Sequence, residues 1–206
     1  MHFIKAMLIV LLLLMWSEAF AGESAKRCLQ LFDNAEYSKA VTVCQTAAEQ
    51  GDTASQTVLG EMYDARDGVE ADQKIVAKWW TEAANNSYLP VQNLLALKYY
   101  YGGNVFELQP DWQQDYLQAF EIWKQSAIKG VATSQYMIGE MYLHGQGVDT
   151  DYSESYAWFK IALEGGYKLA TDSLIELSRV ISAEQKHNGF VRIKQIKNQI
   201  AEISAD

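Results

Sequence analysis

The chain has little of what most enzymes and metalloproteins are built with: two prolines, two cysteines and three histidines in 206 residues. Scarce proline leaves long stretches free of helix breakers and points to a helical chain. The histidines are scattered. His2 lies in the leading segment, and His144 and His187 stand singly, which reads as two surface histidines. No His-Glu-x-x-His, no Gly-x-Ser-x-Gly and no phosphate-binding glycine loop occurs. No cofactor and no metal site is therefore expected. Cations are also short, 17 Lys and Arg against 26 Asp and Glu, for a net charge of −9. Phosphate backbones are held by clustered Lys and Arg, so nucleic acid is a poor candidate partner.

After residue 21 no apolar run approaches the length needed to cross a bilayer. The leading segment differs. Lys5 precedes an apolar run of 11 residues, Ala6 to Trp16, and Ala19-Phe20-Ala21 has the small-x-small form of a signal-peptidase site. Residues 1–21 are read as a signal peptide cleaved after Ala21, which predicts a periplasmic or secreted protein without stable membrane insertion. Cys28 and Cys44 then fall in an oxidising compartment. They flank a turn at Asp33-Asn34-Ala35-Glu36 that brings two helices side by side. A disulfide is expected, since there is no Cys-x-x-Cys and no neighbouring histidine to suggest redox or metal chemistry.

What the chain does have is repetition. Gly60-Glu61-Met62-Tyr63 returns unchanged as Gly139-Glu140-Met141-Tyr142, and Gly68-Val69 as Gly147-Val148. A second marker, small-x-x-aromatic pair-x-x-small-small, begins at Ala40, Val76, Ala119 and Ser155. Its spacings are 36, 43 and 36, and the two glycine blocks lie 79 apart, which is the same period with the same seven-residue insertion. Val58, Leu59, Met62 and Tyr63 form one helical stripe, as do Met137, Ile138, Met141 and Tyr142. Gly60 and Gly139 interrupt these helices at a cost of about 1 kcal/mol each. They are expected to admit a second helix whose small residues, Ala83, Ala84 and Ala162, face them. Asp72 and Asp151 are expected to cap the second helices, and Gly51, Gly130 and Gly165 to stop them. Ser182-Ala183-Glu184 starts a last helix carrying Ile193, Ile196, Ile200 and Ile203 at helical spacing.

Leu-Gly-x-Met-Tyr-x-x-x-x-Gly-Val followed by Trp-aromatic-x-x-Ala-Ala resembles the Sel-one-like repeat, a variant of the tetratricopeptide repeat, over about residues 53 to 183. The resemblance implies an all-α fold, a right-handed α-α superhelix (solenoid) of antiparallel helix pairs. It lays out residues 22–206 as one domain: an N-terminal hairpin at 24–50, repeats at 53–87, 90–130 and 132–166, and capping helices at 168–206. Family members act mostly as adaptors and scaffolds for protein complexes, and many bacterial ones are exported. The pattern decays at Ala96, where glycine stood, and at Ile175.

In such solenoids the first helix of each pair lines the concave side. The resemblance then assigns a partner-binding face to Thr57, Glu61 and Asp64; Asn93, Leu97, Tyr100 and Tyr101; Tyr136, Glu140, Leu143 and His144; Asp172, Glu176 and Arg179. This acidic and aromatic set suits a protein with a basic or amphipathic segment. The inserted stretch 102–118, with Val105, Phe106, Leu108 and Trp112, is a second contact candidate or a cover for the weak middle repeat. The reading is a non-catalytic adaptor or scaffold of the bacterial cell envelope. Two others stay open: an immunity or inhibitor protein against a periplasmic effector, and a penicillin-recognising hydrolase. The latter rests on Ser126-x-x-Lys129, but Ser126 sits where other copies carry alanine, and no Lys-Thr-Gly or Ser-Asp-Asn accompanies it.

Overall fold

The computed structural model describes residues 22–86, 89–102 and 113–205, and no strand occurs among the described residues. The expected signal segment, and Val105 to Trp112 of the inserted stretch, lie outside them. The helices are α1 (22–33), α2 (Tyr37–Glu49), α3 (Thr53–Ala65), α4 (Gln73–Asn85), α5 (Leu89–Tyr101), α6 (Tyr116–Ala127), α7 (Ala132–His144), α8 (Tyr152–Glu164), α9 (Ala170–Leu177) and α10 (Ala183–Ala205). They group into two compact units, one up to Val91 and one from Gln92.

In the first unit the Cys28–Cys44 disulfide joins α1 to α2, as expected from the hairpin. Both cysteines are fully buried among Leu31, Ala40, Ala48, Leu59, Met62 and Trp79. Asp52 and Asp72 begin α3 and α4 by accepting backbone N–H bonds, from Ser55 at 2.7 Å and from Lys74 at 2.9 Å. Such caps satisfy amides that the first turn leaves orphaned.

The second unit is built on the same plan. Asp115 and Asp151 cap α6 and α8. Trp123, Ile138, Met141, Trp158 and Ile196 form the main core, and Phe159, Ala162, Ala170 and Leu177 a second one. α10 packs along α8, with Ile196 buried and Ile193 and Ile200 against the core. Gly189 permits this crossing, because a Cβ there would lie 2.8 Å from the Tyr156 ring and 3.0 Å from the Ser153 carbonyl. Glu154 and Glu164 of α8 pair with Arg192 and Lys197 of α10. Ser182 and Gln185 exchange side-chain and backbone bonds at 3.1 and 2.9 Å, a capping box that starts α10.

Two expectations need correction. Gly60 and Gly139 do not face alanines. An added Cβ would lie 2.2 Å from Trp80 Nε1 and 2.5 Å from Phe159 Cδ1. The missing side chain makes room for a ring laid directly on the helix backbone. The small residues sit a turn farther along α4 and α8, because the second aromatic of each pair, not the alanine, points across. The stop after α8 is likewise displaced by one residue. Gly166 has the left-handed φ of +93°, matching +88° at Gly51 and Gly130, whereas Gly165 has an ordinary φ of −72°.

Candidate partner-binding surface

The expected face is best seen through one repeat position, three residues before the glycine. It holds Thr57 on α3, Asn93 on α5 and Tyr136 on α7. None of the three projects freely. In the first unit the Trp80 indole N–H donates to the Thr57 carbonyl at 3.2 Å. Thr57 is 8 % exposed, and its hydroxyl turns back to the Thr53 carbonyl at 2.9 Å. In the second unit Ala96 replaces the glycine, and the Trp123 indole donates instead to the Asn93 side chain at 3.1 Å. Phe159 has no N–H, and Tyr136 stacks on it at 5.6 Å between ring centroids. The position therefore completes the aromatic of the following helix. Thr57 is thereby buried on α3, while Asn93 and Tyr136 stay half-buried. Leu97 and Leu143 are also half-buried against the two cores.

The glutamate after the glycine behaves differently. Glu140 is 19 % exposed by its side chain, and its Oε1 accepts the Ser173 hydroxyl of α9 at 2.6 Å. Its Oε2 lies 3.5 Å from Nε2 of His144, which is 55 % exposed. The Tyr136 hydroxyl lies 3.3 Å from Ser173 Oγ. Burial, with the Glu140 charge as a smaller cause, pushes that phenol up to about 12. The Tyr100 hydroxyl donates to Gln146 at 2.7 Å. Burial holds it above its ordinary value, and Glu140 again contributes in the same direction. Glu140 thus lies within electrostatic reach of Tyr100 and Tyr136. Tyr101 stays 42 % exposed beside Tyr100, with ring centroids 4.8 Å apart. Asp172, Glu176 and Arg179 are exposed.

On α3, burial and then the neighbouring Asp64 charge raise the Glu61 carboxyl above its ordinary value. A raised carboxyl favours the protonated form. Its stabilising contribution is present at low pH and lost as pH rises through the folded pKa. Glu61→Gln should therefore raise the melting temperature near pH 7 and give no gain near pH 3. Equal gains at both would show that the carboxylate is not under this strain.

The geometry offers no activated nucleophile at the residues that suggest one. Ser126 is buried, and its hydroxyl donates to Gln92 at 2.6 Å. At Ser173 the order is hydroxyl, carboxylate, imidazole, so the histidine does not touch the serine. Among the described residues no group of three His, Cys, Asp or Glu could hold a metal ion, and no helix is long and apolar enough to cross a membrane.

Sequence reasoning missed the buried glutamines. Gln56 and Gln135 each donate to the last turn of the preceding helix, at Ala48 and Ala127, both at 3.1 Å. Gln92 accepts from Ser126. Their spacings, 36 and 43, are those of the repeat itself, and that recurrence was a readable signal.

The Sel1 repeat pattern matches residues 53–88, 90–131 and 132–167, more than half of the chain. A Sel1 repeat protein from Oxalobacter formigenes is similar in structure, with a TM-score of 0.57 at 25% identity, over 71% of this chain and 57% of that one. An exopolysaccharide production negative regulator of Rhizobium meliloti (strain 1021) is 29% identical over 140 residues, 63% of this chain and 51% of that protein. Chitin synthase regulatory factor 3 of Schizosaccharomyces pombe is 30% identical over 150 residues, 72% of this chain and 15% of that protein. The chain thus spans about half the length of the first of these relatives and far less of the second.

Proposed function

The chain belongs to the Sel1 repeat family, and from that premise we propose that it is a non-catalytic adaptor of the bacterial cell envelope, binding a partner protein through the first helices of its pairs. Relatives named as regulators of polysaccharide-producing systems support a role exercised through other proteins. The signal-like segment at 1–21 supports export. The observation that carries the binding reading is the setting of Glu140. It shares Ser173 with the Tyr136 hydroxyl, and His144, Asp172, Glu176 and the Tyr101 ring lie at the surface of the same unit. Glu61 holds the same repeat position on α3. A basic, apolar segment is the complement: cations for the carboxylates, apolar side chains for the rings.

The test is crosslinking capture from the periplasm, followed by binding measurements on the captured protein. Exposed ion pairs contribute under about 1 kcal/mol each, whereas aromatic anchors dominate interfaces. Tyr101→Ala should weaken binding more than Glu140→Gln with Asp172→Asn and Glu176→Gln. The charge variant should chiefly slow association and flatten its salt dependence. If both variants bind like wild type while deletion of 105–112 abolishes capture, the partner contacts the inserted stretch and the proposed face is wrong.

A further inference from the structure

Where α8, α9 and α10 meet, the second unit contains an open cavity of about 350 Å³. Its apolar wall is made by Leu174, Ile181 and the Tyr156 ring, and its polar lining includes Lys160, Ser178 and Lys186. No carboxylate lines it. That is unexpected in a chain of net charge −9, and the surrounding ion pairs explain how it arises. Both other charged contacts between α8 and α10 are matched, Glu154 with Arg192 and Glu164 with Lys197. Lys160, half-buried on α8, and Lys186 on α10 have no ion pair among the described residues. The Lys186 ammonium lies 5.9 Å from the Tyr156 ring centroid, which keeps it over the cavity's aromatic wall. Lys160 is half-buried and Lys186 exposed, both line the same cavity, and an anion there would meet positive charge from two helices.

We infer that this cavity is a binding site for a carboxylate carried on an apolar group, of the size of one amino-acid residue. Its volume is at the lower end of ordinary small-ligand sites, which combine apolar walls with a few convergent polar groups. The two ammonium groups take the carboxylate; the Ser178 hydroxyl, which also lines the cavity, donates to the Ile175 carbonyl at 2.6 Å and is not a donor to it. Leu174, Ile181 and the Tyr156 ring take the apolar group. A free small carboxylate and the C-terminal carboxylate of a peptide ending in an apolar residue present the same chemistry, and their relative affinity distinguishes the two sources. The site is independent of the face proposed above for the partner.

The probes are N-acetyl-leucine, its amide, and a short neutral peptide ending in leucine, as the free acid and as the amide. Binding is followed through the backbone NMR signals of α8, α9 and the start of α10. The free acids should shift these signals saturably and the amides should not, with affinity falling as salt is raised. Tighter binding of the peptide acid than of N-acetyl-leucine identifies a chain terminus as the ligand, and equal binding identifies the small carboxylate. Lys160→Gln with Lys186→Gln, which keeps side-chain length and removes both charges, should weaken binding about tenfold or more, since hydrogen bonds to charged groups contribute most. Lys160→Arg with Lys186→Arg, which restores the charge, should recover it. The inference is overturned if the amides bind as well as the acids, if the glutamine variant binds unchanged while its melting temperature is normal, or if no acid shifts these signals at millimolar concentration.

Discussion

Replacing Cys28 and Cys44 together by serine is expected to lower the stability of the first unit by about 3 kcal/mol, the chain-entropy value for so short a closed loop. The sulfurs are fully buried in the core that also holds Leu59, Met62 and Trp79. Serine hydroxyls placed there would lose water without gaining a designed partner, which adds to the loss. The effect should be local. The bond joins α1 to α2, and α2 packs on α3, so hydrogen-exchange protection should fall in these three helices. α7, α8 and α10, held by their own core and by the Glu154–Arg192 and Glu164–Lys197 pairs, should keep theirs. Reduction of the wild-type protein should reproduce the pattern. Unchanged protection in α1 to α3 would show that the hairpin is stable without its cross-link, and that the disulfide does not hold this end of the chain.

How far this fold was readable follows from which interactions repeat with the period. The helix pairs, the caps at Asp72 and Asp151 and the cysteine hairpin depend on local spacing and residue type, and all are where spacing put them. The orientation of the aromatic pair was not local. Whether Trp80 or Ala83 meets Gly60 depends on the crossing of α3 and α4, and hydrophobic periodicity places both on the buried stripe. The candidate surface suffered for the same reason. Thr57, Asn93 and Tyr136 look like groove residues on a helical wheel, yet each completes the ring opposite. Aligning the copies exposes only part of the link, because Thr57 accepts through its backbone carbonyl, which any residue supplies, whereas Asn93 accepts through its side chain. Where the second aromatic is Trp, the position three before the glycine or Ala96 offers an oxygen, and where it is Phe159 it offers a ring. Glu140 is half-buried, with its carboxylate shared between the buried Ser173 and the exposed His144. Ser173 itself had no signal in a single sequence, since its role comes only from α9 lying beside α7.

Gly60→Ala is expected to destabilise the protein although alanine is the better helix former. Propensity alone favours the change by about 1 kcal/mol. Against it, the new Cβ would lie 2.2 Å from Trp80 Nε1 and 2.3 Å from Trp80 Cδ1. The indole has little room to retreat, being 2 % exposed and tied through its N–H to the Thr57 carbonyl. Overpacking of this kind costs about 1–3 kcal/mol, and displacing the ring also breaks a buried hydrogen bond, a further loss of about 1–3 kcal/mol when the donor is left unpaired. The net expectation is a fall of about 2 kcal/mol in unfolding free energy, read by denaturant melts. The middle repeat shows how the chain accommodates the same methyl. With Ala96 in place of glycine, the indole of Trp123 finds the Asn93 side chain instead of a backbone carbonyl. Thr57→Asn added to Gly60→Ala should therefore recover a large part of the loss, while Thr57→Asn alone should not stabilise. A gain in stability from Gly60→Ala by itself would mean that Trp80 does not lie on the α3 backbone. Failure of the added asparagine to rescue would mean that steric displacement, rather than the stranded indole N–H, sets the cost.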